Sequence, residues 1–191
     1  DHQLHGPRAL RDAFAARGHD MPPMLALSSN RGVTSGLDLN GDGVIGGAED
    51  AQGFGRFQGE GGMVLLSRFA FDATQAQDFT GLLWRDLPDA TLPRHADGRP
   101  YLSPPARASQ RLSSSGHWMV PVLLPWGPVT LMAFDATPPV FDGPEDLNGL
   151  RNADEIALWR HVLDGRLERP PTGPFVILGN ANLDPNRGDG R

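Results

Sequence analysis

Apolar residues in this chain occur in short continuous runs, separated by long polar stretches that are rich in Gly and Pro. A continuous apolar run between turn residues is typical of a buried β-strand. Two of these runs are joined by a tight turn and predict adjacent strands, and Pro121 places the first of the two at a sheet edge or a bulge. The predicted strands cover residues 21–27, 61–69, 117–124, 129–134 and 175–178, and the second is expected to be central.

Two segments have the pattern of helices. Residues 6–18 end in Gly18, which suits a helix C-terminus. Residues 152–163 begin with Asn152, a suitable N-cap with Glu155 three positions later. The apolar face of this second helix consists of Ile156, Trp159, Val162 and Leu163. Because the helix stands between two predicted strands, the order favours an α/β unit.

The last predicted strand leads into a polar segment, so that residues 175–190 are a candidate site. Asn180, Asn182 and Asp184 alternate along the chain and would share one face of an extended segment. Open α/β sheets commonly bind ligands at the carboxyl ends of their strands. The same residues also suit an ordinary strand that is followed by a solvated turn.

Residues 38–49, with the sequence DLNGDGVIGGAE, match the spacing of a calcium-binding loop. Alternate side-chain oxygens would converge on one ion, a glycine at the sixth position permits the sharp bend, and the final carboxylate would close the shell. The predicted Ca²⁺ ligands are Asp38, Asn40, Asp42, the Val44 carbonyl and Glu49, with Asp50 as a substitute for Glu49. The preceding residues are not helical, and the alternative is a surface turn that binds no ion.

Composition narrows the possible partners. The chain of 191 residues has 23 acidic and 17 basic residues and a net charge of −6, so a broad basic surface for extended nucleic acid is not expected. The chain has no Cys, which excludes disulfides and thiolate metal sites. No apolar run approaches the roughly 18 residues that span a membrane, and the first residues lack the pattern of a signal peptide. A soluble protein is expected.

Four segments in order along the chain resemble the endonuclease/exonuclease/phosphatase family. They are GMVLLSR (62–68), TPPVFDGPEDLNG (137–149), RNADEI (151–156) and GNANLDP (179–185). Residues 35–43 and 50–55 are similar to segments of a bacterial, often exported branch of that family. The resemblance therefore implies an extracellular or periplasmic location.

The resemblance implies one α/β (α+β) domain over residues 1–191, a deoxyribonuclease I-like four-layer β-sandwich of two packed mixed sheets flanked by helices. It also implies cleavage of a phosphate-ester substrate with Mg²⁺ or Mn²⁺. The expected substrate contacts are Asn182, Thr137, Asn148 and Arg151. At two catalytic positions the chain departs from the family pattern, because Asn180 stands where the family has Asp and Asp135 stands where it has His.

These departures bear on activity. An amide cannot ionise, so Asn180 cannot act as a base, and Asp135 cannot provide an imidazolium for a phosphate transition state. The first and last family strands, with further catalytic groups, are expected to lie outside the chain. We therefore expect a metal-dependent phosphoesterase or nuclease with impaired catalysis. The alternatives are a non-catalytic, calcium-stabilised binding or structural module on the same fold, or a likeness in architecture alone.

Overall fold

The computed structural model describes residues 4–184, in which long irregular segments separate the regular elements. Its helices and strands are α1 (His5–Ala15), β1 (Met24–Leu25), β2 (Leu65–Leu66), β3 (Gln77–Asp78), α2 (Pro104–Ser109), β4 (His117–Leu124), β5 (Gly127–Asp135), α3 (Leu147–Leu163) and β6 (Phe175–Asn180). Short 3₁₀ helices lie at Ala48–Asp50, Ala73–Gln75 and Trp84–Asp86. Residues 185–190 of the candidate stretch lie outside the described residues.

The strands form two sheets. β1 and β2 make an antiparallel pair, and the second sheet has the order β3-β4-β5-β6. In that sheet β4 is antiparallel to β3 and β5, whereas β6 is parallel to β5. Because a parallel neighbour requires a crossover, α3 connects β5 to β6, as the strand–helix–strand pattern predicted. The two sheets and few helices fit the α/β sandwich that the resemblance implies.

Side-chain alternation along β4 divides the core into two layers. Trp118 and Val120 point to one face, where they pack with Leu65 of the small sheet. Met119 points to the opposite face and packs in the larger cluster with Trp159 of α3. The part of the four-stranded sheet formed by β4 and β5 is therefore covered by β1–β2 on one side and by α3 on the other.

The predicted hairpin is confirmed as β4 and β5, with His117 opposite Phe134 and Leu124 opposite Gly127. Pro121 lies beyond the short strand β3, where a loop residue approaches β4 from the outer side. The Asp72 N–H donates to the Pro121 carbonyl at 2.9 Å. β4 therefore has neighbours on both sides, with Phe71 bridged to Val122 next to Pro121, and the predicted edge position is wrong.

Two strand predictions are wrong. The apolar run at 61–69 forms only the two-residue strand β2, which pairs with β1 in the small sheet and is not central. The run at 175–178 does form β6, but its side chains are 36–49% exposed. Within the described residues β6 pairs with β5 alone, and residues 175–178 join neither core cluster. An apolar run therefore identified the strand without identifying its surroundings.

The second helix begins five residues before the predicted cap. α3 starts at Leu147, after Asp146 with φ 58°, and Asn152 is a buried residue of the helix interior. The Asn152 Nδ2 donates to the Thr137 carbonyl at 2.7 Å and to the Ala181 carbonyl at 2.8 Å. Asn152 therefore ties the helix to the segments after β5 and β6, and the capping prediction is wrong.

Candidate active site

The carboxyl ends of the parallel strands bring two of the predicted catalytic residues together. Asp135, the last residue of β5, is the Cα partner of Asn180, the last residue of β6. The Ala136 N–H donates to the Asn180 carbonyl at 2.9 Å and extends the ladder by one bond. The site therefore lies at the sheet edge where α/β folds hold ligands.

Asn180 and Asn182 hold each other through their side chains. The Asn180 Nδ2 donates to Asn182 Oδ1 at 3.0 Å, and the Asn182 N–H donates to Asn180 Oδ1 at 2.9 Å. Asn182 also has φ 50° and donates from Nδ2 to the Ala136 carbonyl at 2.7 Å. Asn tolerates this left-handed conformation because its short side chain bonds locally. Both amides thus shape the turn after β6.

Asp135 is held by two neighbours. Its Oδ2 accepts hydrogen bonds from Arg31 Nη2 at 3.1 Å and from Ser115 Oγ at 2.9 Å. The Arg31 Nε also donates to Ser115 Oγ at 2.8 Å, which closes a three-membered network. Both charged side chains are about one-fifth exposed. Sequence reasoning did not identify Arg31, which follows an irregular segment without a recognisable motif.

A hard divalent cation prefers carboxylate ligands. At this edge the predicted residues supply two amides, which bond to each other, and one carboxylate, which is paired with Arg31. These residues therefore do not form a carboxylate site for Mg²⁺ or Mn²⁺. Within residues 4–184 no group of three or more His, Asp or Glu residues is placed to hold a metal ion.

Glu155 of α3 is a fully buried carboxylate beneath the site, and sequence reasoning interpreted it only as part of a helix cap. Its Oε1 accepts from the Ser114 N–H at 2.6 Å and from Ser114 Oγ at 2.9 Å. Its Oε2 accepts from the Thr137 N–H at 2.6 Å. Burial raises the pKa of Glu155, and the charge of Arg151 acts in the opposite direction. Glu155 thus joins three segments that border the site.

The predicted substrate contacts serve the framework in this structure. Arg151 is buried and donates to the Leu112 carbonyl at 2.8 Å and to the Arg111 carbonyl at 2.9 Å, and burial lowers its pKa. The Asn148 Nδ2 donates to the Val140 carbonyl at 2.7 Å. Together with Thr137, Arg151 and Asn148 border the cavity described below, and their contact with a substrate stays a prediction.

The predicted calcium loop is organised by its own amides. Asp38 accepts from the Gly41 and Gly43 N–H groups at 2.6 and 2.9 Å, and Asp42 accepts from the Val44 N–H at 2.8 Å. The Asn40 Nδ2 donates to Asp42 at 3.1 Å. These two hydrogen bonds lower the pKa of Asp42, so its carboxylate stays charged. The loop thus has a bent backbone that its own side chains stabilise, and the convergence of its oxygen atoms on one ion stays a prediction.

Asp50 has a distinct place in that loop. It is buried, and its oxygens accept from the N–H groups of Leu39, Gly46 and Gly47 at 2.8, 2.9 and 3.2 Å. Asp50 therefore closes the loop against the core. Its role as a substitute metal ligand stays a prediction, as does the ligand role of Glu49, whose side chain borders the cavity.

A cavity of about 820 Å³ joins the predicted calcium loop to the site. One wall is the proline-rich segment after β5, where Phe141 is 91% exposed and has φ 70°. Aromatic residues Phe54 and Tyr101 line other parts of the cavity, and Arg31 lies at its border with the strand ends. The pKa of Tyr101 is raised by burial and by nearby carboxylates, with Glu145 foremost. The cavity therefore combines apolar walls with an acidic rim.

His117 and His95 lie in different surroundings. His117 is fully buried, with Nε2 2.9 Å from the Glu155 carbonyl and Nδ1 2.8 Å from Ser113 Oγ. Burial lowers the pKa of His117 to about 4, so the ring is neutral at ordinary pH. His95 is exposed, and its ring lies 5.3 Å from that of Tyr101. His117 is therefore a buried histidine with a hydrogen-bond partner for each ring nitrogen.

None of the helices in residues 4–184 has the length and apolar character needed to cross a bilayer. A location outside the cell or in the periplasm, and membership of the bacterial branch, stay predictions.

The family model described as Endonuclease/Exonuclease/phosphatase family matches residues 6–191. Neither a curated protein nor a solved structure matches the chain. Enzymes of this family usually use divalent metal ions such as Mg²⁺. With almost its whole length matched, the chain belongs to the endonuclease/exonuclease/phosphatase family.

Proposed function

We propose that this chain is a phosphoesterase- or nuclease-type member of its family in which catalysis is impaired. The observation that carries the proposal is the arrangement at the ends of β5 and β6. Asn180 stands opposite Asp135 there, bonded to Asn182, while the Asp135 carboxylate is paired with Arg31. This pair of positions offers neither a free carboxylate nor an imidazole to a reacting phosphate ester.

General acid or base groups each contribute roughly 100- to 10,000-fold to the rate of a reaction. The Asn180 amide cannot take a proton from water, and it binds a hard cation more weakly than a carboxylate does. Asp135 lacks a positive charge for the developing negative charge of the transition state. Loss of both groups predicts turnover far below that of a chain that carries Asp and His at these positions.

Hydrolysis of bis(p-nitrophenyl) phosphate with Mg²⁺ or Mn²⁺ tests the proposal. The unmodified chain is compared with the double variant Asn180→Asp, Asp135→His, and with each single variant. We expect little or no turnover by the unmodified chain and a gain of about 100-fold or more in the double variant. Each single variant separates the effect of the base from that of the imidazole.

The variant Asn182→Ala tests whether any turnover arises at this site, because Asn182 borders both positions and its substitution removes no ionisable group. Turnover by the unmodified chain that Asn182→Ala abolishes and the double variant does not improve would contradict impaired catalysis. Circular dichroism and unfolding curves of all variants establish that each one folds before its rate is interpreted.

The second candidate is a non-catalytic, calcium-stabilised binding module. The large cavity favours it, because the predicted calcium loop and the proline-rich segment both line that cavity, and the exposed aromatic side chains of Phe54 and Phe141 lie on its walls. The loop also offers the hard oxygen donors that Ca²⁺ prefers, from Asp38, Asn40, Asp42 and the Val44 carbonyl. Calcium bound there would stabilise one wall of the cavity without taking part in chemistry.

Thermal unfolding with Ca²⁺ and with a chelator tests the calcium site. Calcium at 100 times its Kd contributes about 2.7 kcal/mol, which raises the midpoint of a chain of this size by roughly 5–10 °C. The gain should disappear in Asp42→Ala and persist in Asp20→Ala, which removes the same charge at an exposed position outside the loop. Equal midpoints with calcium and with chelator would exclude the site.

A further inference from the structure

Arg31 connects the cavity with the ends of β5 and β6. Its guanidinium donates to Asp135 Oδ2 at 3.1 Å and to Ser115 Oγ at 2.8 Å, and the same side chain lines the cavity. Asp135 in turn lies beside Asn180 in the sheet register. A planar guanidinium that faces both a carboxylate and an open cavity can exchange one oxyanion for another.

From this geometry we infer that Arg31 is the phosphate anchor of the proposed site, and that Asp135 occupies it as an internal competitor. The carboxylate of Asp135 accepts from the guanidinium in the way that a phosphate oxygen of a ligand would. Binding of a phosphate ester then requires Arg31 to leave Asp135, so the unmodified chain binds such a ligand weakly. This inference rests on the proposed phosphoesterase-type site.

Arg151 is the second arginine at the cavity, but it does not compete for this role. It is buried, and its guanidinium donates to the backbone carbonyls of Leu112 and Arg111. Arg31 is less deeply buried and bonds only to side chains through the described contacts of its guanidinium. Of the two cations, Arg31 is therefore the one whose contacts a ligand can replace without breaking the framework.

The walls of the cavity indicate the class of ester. Phe54, Val140 and Leu147 present apolar surface, and Phe141 is largely exposed beside them. The carboxylates on the rim, which raise the pKa of Tyr101, disfavour a ligand with several phosphates. The fitting ligand carries one phosphate and an apolar or aromatic organic group.

Titration calorimetry with phenyl phosphate, without added metal, tests the inference directly. Asp135→Asn keeps the size of the side chain and removes the competing charge, so we expect affinity to rise about tenfold or more. The double variant Arg31→Gln, Asp135→Asn should lose that gain, while Arg31→Lys in place of Arg31→Gln should recover part of it. Inorganic phosphate should bind the Asp135→Asn variant more weakly than phenyl phosphate does.

Asp142→Asn is the matched control, because Asp142 lines the same cavity and its removal changes the net charge equally. If Asp142→Asn gains as much affinity as Asp135→Asn, the gain comes from the loss of any negative charge near the cavity and not from the release of Arg31. That result would overturn the inference. An Asp135→Asn variant that folds and binds no more tightly would also overturn it. Equal affinities for inorganic and phenyl phosphate would remove the cavity as the place of the organic group.

The binding assay and the hydrolysis assay test separate claims, so that either claim can fail without the other. Turnover by the unmodified chain that the double variant Asn180→Asp, Asp135→His does not improve would contradict impaired catalysis, whereas the Arg31 comparison depends on affinity alone and needs no turnover. If Asp135→Asn gains affinity through Arg31 and still hydrolyses nothing, both the inference and the proposed function stand. If it gains no affinity while the unmodified chain stays inactive, only the inference fails.

Discussion

The buried ring of His117 provides the clearest quantitative prediction, because its environment fixes its protonation state. The ring is fully buried between β4 and α3, where it contacts Phe134 and Trp159 at centroid distances of 5.4 and 5.2 Å. Nε2–H donates to the Glu155 carbonyl, and Nδ1 accepts from the Ser113 hydroxyl. A neutral ring satisfies both hydrogen bonds, whereas a charged ring would lose the hydration that stabilises its charge in the unfolded chain.

Burial lowers the pKa of His117 from 6.5 to about 4 in the folded protein. Between those two pH values the unfolded chain binds a proton that the folded chain does not, so stability falls as the pH falls through that window. At about 1.4 kcal/mol for each pH unit, this difference amounts to roughly 3 kcal/mol at pH 4. Such a loss is a large part of the stability of an ordinary domain.

Urea unfolding of the wild type and of His117→Gln at several pH values from 4 to 7 measures this effect. Gln offers one donor and one acceptor but does not titrate, so the variant should lose roughly 3 kcal/mol less than the wild type on acidification. His19→Gln, at an exposed position, should leave the pH dependence unchanged. If His117→Gln and the wild type lose stability in parallel, the assignment of this pKa is refuted.

Two further predictions concern groups near the strand ends. Glu155→Gln turns one acceptor oxygen into a donor that faces Ser114 or Thr137, and one buried bond lost in this way costs about 1–3 kcal/mol in a urea unfolding experiment. The same substitution should flatten the loss of stability as the pH rises, because the raised pKa of Glu155 makes the folded state favour the proton. Gly179→Ala would place a Cβ 1.9 Å from the Phe134 carbonyl oxygen at φ 148°, and the β5–β6 pairing should weaken by roughly 1–3 kcal/mol. Glu168→Gln and Gly81→Ala are controls, since the first is exposed and the second has open space around its Cα. If Glu155→Gln or Gly179→Ala unfolds with a free energy within about 0.5 kcal/mol of that of the wild type, the prediction for that variant is contradicted.

The sequence predicted the arrangement of the site better than its chemistry. A strand, a crossover helix and a second strand imply parallel neighbours, and this topology alone brings Asp135 next to Asn180. The hairpin of β4 and β5 was equally evident, because two apolar runs with a tight turn between them have few other arrangements. These features depend on local patterns that a single chain carries.

Long-range polar contacts could not be predicted in the same way. Arg31 meets Asp135 across 104 residues of sequence, and Glu155 meets Ser114 across 41. No local pattern encodes a partner so distant. The available signal for Glu155 was its place in the same helix as the apolar residues Leu158 and Trp159. A carboxylate that is buried with such residues requires hydrogen-bond partners from other segments. The exposure of β6 could not be predicted either, because the same apolar run is compatible with a strand that its neighbours cover and with one that is exposed.

The open side of β6 has a consequence for the behaviour of the protein at high concentration. Strands at sheet edges present unpaired backbone groups, and proteins commonly protect them with charged side chains, especially Lys. β6 has the sequence FVILGN, without a charge, and the whole chain contains no Lys. Within residues 4–184 this strand is a template on which another extended chain can pair, and we expect aggregation through this edge in concentrated preparations.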